Sequence, residues 1–183
     1  MLGQDGFRQE LELNGIQTIF LNHEDSGFSD EEALEFQCDP SVKAVVCGMD
    51  YQASYRKTCI ASLYIQKGAK LICANPDRFS GSGDRLMPAC GTITRTIELA
   101  SGVTAPVMGK PETIGYEIIK KDQDIPDGAK VLMVGDNLET DIRFGVNNKI
   151  DTLLVLSGVA LESHVGQLGS AVPTHIQPCL FHN

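Results

Sequence analysis

Three groups of residues have the types and spacing to do chemistry. The first is Asp136 and Asp141, within residues 130–145 (KVLMVGDNLETDIRFG). Val131, Leu132, Met133 and Val134 form a continuous apolar run closed by Gly135. That is the pattern of a strand buried on both faces of a parallel sheet, with the glycine giving the backbone freedom to turn. Asp136 stands where the strand ends and Asp141 follows five residues on, at the edge where open α/β sheets bind ligands. Paired carboxylates there suit a hard divalent cation such as Mg²⁺, which takes oxygen ligands and keeps several waters. Asn137 adds a hydrogen bond or a contact beside the metal. The alternative is local: Asp136 caps the next helix, and Glu139 completes a D-x-x-E capping box.

The second group is Gly109-Lys110-Pro111-Glu112. A lysine at a helix entry, beside free backbone N–H groups and the positive dipole end, favours a phosphate. Pro111 is placed for the first helical position. The alternative is a surface lysine before a proline-started helix. The third group is Asp50 with Asn75 and Asp77, after two apolar runs, VKAVVC and AKLICA. These side chains either contribute polar groups to a ligand or serve as turn residues. His23, His164, His175 and His182 read as structural or exposed, and Tyr55, Arg56 and Lys57 as a solvated helix face.

The elements that must position these groups alternate strand and helix. Helices are expected at residues 6–14, 30–36, 51–66, 90–101, 112–121, 139–148 and 161–168. Strands are expected at 17–21, 42–47, 69–74, 85–88, within 103–108, at 131–134, 152–156 and 174–177. Residues 23–32 read as a solvated acidic loop running into the second helix, and 79–84 as a glycine-rich turn. This is the order of a parallel α/β fold. A boundary falls near 104–107.

Composition bounds the partners. The chain has 183 residues, a 42% hydrophobic fraction and a net charge of −9. The acidic balance argues against nucleic acid or an anionic membrane as partner. No apolar run approaches the roughly 18 residues of a membrane span. The six cysteines form no C-x-x-C pair, so they read as reduced, buried thiols of a cytoplasmic protein.

Read together, GKPE at 109–112 and MVGDNLETDI at 133–142 resemble the third and fourth motifs of the haloacid dehalogenase (HAD) phosphatase superfamily. GMDYQASYRK (48–57), ICANPD (72–77), CGTITRTIELASG (90–102) and SGV (157–159) resemble its C2-capped branch of 4-nitrophenyl, phosphoglycolate and pyridoxal phosphate phosphatases. The resemblance implies a C2-type α/β cap over residues 1–105. It implies part of a HAD-like Rossmannoid core, with a parallel sheet, over 106–183. The implied activity is Mg²⁺-dependent hydrolysis of small phosphate monoesters through a phosphoaspartyl intermediate. Carried over by motif, Lys110 stabilises the phosphate and the nucleophile's charge, and Asp136 is a direct Mg²⁺ ligand. Asp141 holds a metal-bound water or Lys110. Asp50, Asn75 and Asp77 lie toward the substrate, a small phosphorylated metabolite, and the cap can mediate a homodimer. The family's first motif, D-x-D-G after an apolar strand, does not occur in residues 1–183, nor does its second. The expectation is a chain that starts after both motifs and is inactive alone, as a truncated phosphatase or a catalytically silent homologue. Two other readings stand beside it: a non-catalytic HAD-like binding or interaction module, and an unrelated flavodoxin-like receiver fold, which would show a single sheet.

Overall fold

A computed structural model describes residues 1–21, 27–82 and 85–181. His23, His182, most of the acidic loop at 23–32 and the tip of the turn at 79–84 lie outside the described residues. The chain forms two compact units, residues 1–78 with 88–107, and residues 79–87 with 108–183.

In the first unit, α1 (Asp5–Leu13) ends at Asn14 and Gly15, whose φ of +77° is left-handed backbone. Next, α2 (Asp30–Glu35) has a reciprocal capping box between Ser29 and Glu32. Strand β1 (Ala44–Cys47) runs parallel to β2 (Lys70–Cys73), with Val45 opposite Leu71 and Cys47 opposite Cys73. Between them lies α3 (Tyr55–Gln66), stopped at Gly68 with φ +99°. This helix begins four residues later than its pattern predicts. Asp50 first closes a turn, its carbonyl accepting from the Ala53 N–H at 3.1 Å, and Ser54 then caps the helix through the Lys57 N–H.

The strand expected at 17–21 does not form. The edge of β1 away from β2 is met instead by Leu2, whose N–H donates to Val46 and whose carbonyl accepts from the Gly48 N–H. The strand expected within 103–108 is reduced to a bridge from Val107 to Cys73. Strands β3 (Phe79–Ser82) and β4 (Arg85–Pro88) make a separate two-stranded sheet. Helix α4 (Cys90–Ser101) ends at Gly102, φ +71°. Leu2, Val45, Leu71, Ile65 and Ile97 form the core of this unit.

The second unit continues with α5 (Ile114–Asp122). Residues 110–113 turn before it, and the Lys110–Pro111 peptide is cis. Pro111 therefore lies before the helix rather than at its first position. Strand β5 (Leu132–Gly135) leads through Asp136 and Asn137 into a π-helical turn, Leu138–Ile142, and α6 (Arg143–Asn148). Strand β6 (Asp151–Val155) pairs in parallel with β5 on one side and with β7 (His175–Gln177) on the other. The helix expected at 161–168 is a single 3₁₀ turn, Glu162–His164. Leu138, Ile142, Leu154, Ala160 and Ala171 form the second core.

The α/β class with parallel sheets holds. Three separate sheets among the described residues set aside the receiver alternative, which requires one. The central strand β6 is buried along Thr152–Val155, but β5 is not. Leu132 is 49% exposed and Val134 36%, so one face of a strand with a fully apolar pattern meets solvent.

Candidate functional site

The carboxyl edge of β5 gathers Lys110, Asp136 and Asp141 within one unit. Asp141 is almost completely buried. Its Oδ1 accepts from the Lys110 ammonium at 2.6 Å, and its Oδ2 accepts from the backbone N–H groups of Asp136 and Asn137 at 3.0 and 3.1 Å. Three donors thus hold the ionised carboxylate, two of them the turn that presents Asp136. The Lys110 side chain remains 46% exposed, so part of its ammonium can still meet a ligand.

Asp136 does not cap the helix. Asn137 is the N-cap residue, its Oδ1 accepting from the Glu139 N–H at 2.9 Å. The Asp136 carboxylate reaches across to residues 157–159 instead, where Oδ2 accepts from the Val159 N–H at 2.8 Å. The Asp136 carbonyl accepts from the Ala160 N–H at 2.9 Å. Among the described residues, Oδ1 has no hydrogen-bond partner.

Two glycines make these approaches possible. A Cβ on Gly135 would lie 2.3 Å from three side-chain atoms of Asp141, and one on Gly158 would lie 1.9 Å from Asp136 Oδ2. Gly135 is required for that close approach and not for a left-handed turn, since it is absent from the positive-φ glycines. Gly158 was marked in the sequence only by its place in SGV, because its steric role depends on a contact 22 residues away in the chain.

The donor set suits one side of a magnesium site. Asp136 offers one carboxylate oxygen, whereas both oxygens of Asp141 are already engaged by Lys110 and the backbone. Among the described residues no three His, Cys, Asp or Glu side chains converge on a metal position. Mg²⁺ commonly takes one or two protein carboxylates and keeps water at its other positions. The residues present fit that role for Asp136, with Asp141 acting through Lys110 and the turn.

The third group is placed differently. Asp50 is sealed: Oδ2 accepts from the Lys57 ammonium at 2.8 Å, Oδ1 from the Gln52 N–H at 2.9 Å, and the two charged side chains are 0% and 4% exposed. Lys57 is therefore a buried ion-pair partner and not part of a solvated helix face. Asn75 folds its own loop, its Oδ1 accepting from the Asp77 N–H at 2.6 Å, which is an Asx turn. The Asp77 Oδ1 atom is buried without a hydrogen-bond partner among the described residues. Asp50, Asn75 and Asp77 all follow the carboxyl ends of β1 and β2, in the other unit from Lys110, Asp136 and Asp141.

Residues 107–180 match the family described as HAD-hydrolase-like. Over 175 residues the chain is 34% identical to the 5′-nucleotidase YutF of Bacillus subtilis, covering 96% of this chain and 60% of that protein. It is 38% identical over 132 residues to an acid sugar phosphatase of Staphylococcus epidermidis, covering 71% of this chain and 50% of the relative. The fold is shared with the crystal structure of a 4-nitrophenylphosphatase from Thermotoga maritima, at a TM-score of 0.75 and 24% identity, over 97% of this chain and 60% of that one. The chain thus spans between half and three fifths of the length of these proteins. No helix among the described residues is long and apolar enough to cross a membrane.

Proposed function

From the premise that this chain belongs to the HAD-like phosphatases, we propose that it carries the Lys110, Asp136 and Asp141 part of a Mg²⁺-dependent phosphatase acting on small phosphate monoesters through a phosphoaspartyl intermediate. One observation carries the reading: Asp141 uses both carboxylate oxygens to hold Lys110 and the Asp136 backbone, leaving Asp136 Oδ1 without a protein partner. An arrangement built only for stability would not leave a carboxylate oxygen and half of an ammonium available beside each other.

Asp136 would hold the metal, and bound Mg²⁺ would supply charge neutralisation for a phosphoryl group. Lys110 donates to phosphate oxygens while Asp141 keeps its ammonium oriented and charged. Gly135 and Gly158 allow both carboxylates their places. The phosphorylated aspartate and the acid–base residue would come from a D-x-D-G segment that residues 1–183 do not contain, so the 183-residue chain alone turns over negligibly. The first unit reads as the C2-type cap, with Asn75 and Asp77 on the substrate side. Asp50 acts on that side only indirectly, since Lys57 and the Gln52 N–H occupy its carboxylate. The names of the relatives favour sugar phosphates or nucleotides as the substrate class.

The test joins the chain to an upstream strand ending in D-x-D-G, taken from a relative. The expected result is 4-nitrophenyl phosphate hydrolysis that requires Mg²⁺ and disappears in Asp136→Ala. Hydrolysis indifferent to that substitution, or EDTA-sensitive turnover by the 183-residue chain itself, would overturn the reading.

A further inference from the structure

Three cysteines converge in the first unit at a place the phosphatase reading does not use. Cys47 and Cys73 close β1 and β2 as register partners. Cys90 is the first residue of α4. All three are at least 97% buried and free. Thr94, one turn into α4, ties the group together: its hydroxyl lies 3.4 Å from Cys73 Sγ and 3.3 Å from the Cys90 carbonyl. Cys90 Sγ points into the strand ends, 3.6 Å from the Cys47 carbonyl, and its thiol hydrogen-bonds Cys73. Cys73 Sγ also lies 3.2 Å from the Asn75 carbonyl.

We propose that Cys73 and Cys90 are a peroxide-sensitive dithiol that closes to a disulfide, linking the end of β2 to the start of α4.

The geometry selects this pair from the three. Neighbouring strands lie about 4.7–4.9 Å apart, whereas a disulfide wants its Cβ atoms about 3.5–4.5 Å apart. Cys47 and Cys73, side by side on parallel strands, are held too far apart by the ladder. Cys90 belongs to a helix end, which can shift to meet Cys73. Its N-cap, Ala89, offers no side-chain cap, and uncapped helix ends open locally at low cost. That opening gives a small oxidant access to thiols that are otherwise covered.

The chemistry balances with hydrogen peroxide as oxidant. The Cys73 thiolate attacks one peroxide oxygen; an S–O bond forms, the O–O bond breaks, and hydroxide leaves to become water. The Cys90 sulfur then displaces the sulfenic oxygen; an S–S bond forms, the S–O bond breaks, and the Cys90 proton leaves with that oxygen as a second water. Two thiols lose two electrons and one peroxide gains them. The hydrogen bond from Cys90, aided by Thr94, lowers the Cys73 thiol to about 6 against the opposing effect of burial. Cys90 itself is raised, first by its bond to Cys73. Attacking and resolving roles are thereby divided, and the division holds whether or not the chain acts on phosphate esters.

Peptide mapping of the unmodified 183-residue chain tests this. After peroxide treatment, alkylation under denaturing conditions and tryptic digestion, residues 71–78 (LICANPDR) and 86–95 (LMPACGTITR) should disappear as separate alkylated peptides. They should reappear as one linked species, lighter by two hydrogens than the sum of the free thiols and released by dithiothreitol. Cys90→Ser should instead leave Cys73 as a sulfenic acid that dimedone traps. A link from either peptide to residues 44–56, which hold Cys47, would overturn the proposal. So would recovery of both peptides fully alkylated after peroxide treatment that oxidises the half-buried Cys38, Cys59 and Cys179.

Discussion

Each unit contains one lysine–aspartate pair built into a turn after a parallel strand, and the two pairs do opposite things. Lys57 and Asp50 meet at 2.8 Å with both side chains shut away from water. Lys110 and Asp141 meet at 2.6 Å with the carboxylate buried and the lysine nearly half open. In the first pair the charges satisfy each other, and the ammonium also lies over the Phe20 ring, 5.4 Å from its centroid. In the second, the backbone N–H groups of Asp136 and Asn137 share the carboxylate with Lys110, so the lysine can face a ligand without abandoning a bare buried charge. The same two residue types serve structure in one unit and chemistry in the other, and solvent access to the ammonium is the variable that separates them.

The sharpest way to break this comparison is Asp50→Ala. Stranding the Lys57 ammonium should cost about 3–5 kcal/mol, as removal of one partner from a buried pair does, read as a fall in the urea midpoint of the first unit. The double variant Asp50→Leu with Lys57→Met should recover most of that loss, since apolar replacement of both partners is close to neutral. If the single and double variants were equally unstable, the pair would not be the source. Gly135→Ala comes next, at about 1–3 kcal/mol for overpacking against Asp141, and unlike Asp50→Ala it should also weaken Mg²⁺-dependent hydrolysis in the extended protein. Lys110→Met should cost only about 1–2 kcal/mol, the range for one lost hydrogen bond to a charged group, while hydrolysis falls by orders of magnitude. A Lys110 variant that unfolds the second unit as severely as Asp50→Ala unfolds the first would erase the distinction. Smallest is Asn137→Ala, at about 1 kcal/mol for a lost N-cap, with urea denaturation as the readout.

Much of this was legible in the chain. The glycines at 15, 68 and 102 mark three helix ends where the backbone turns left-handed. The apolar runs ending at Cys47, Cys73 and Val134 mark β1, β2 and β5. Lys110, Asp136 and Asp141 could be singled out because their spacing places them at one sheet edge. What stayed hidden depends on contacts between distant residues. Asp136 and Asn137 are both good caps, and only the reach of Asp136 to the Val159 N–H assigns the cap to Asn137. Lys57 looks solvated beside Tyr55 and Arg56, and only Asp50, buried beneath α3, reveals otherwise. QTIFL at 17–21 has strand propensity, but the edge beside β1 is already met by Leu2, and propensity yields to available partners.

The half-open face of β5 has a colloidal consequence. Residues 131–135 are an uncharged, strand-forming window at the edge of their sheet, flanked immediately by Lys130 and Asp136. Charges in those positions act as gatekeepers that keep such windows from stacking between molecules. Asp136 therefore has a second task unrelated to phosphate: it keeps concentrated solutions of the chain clear.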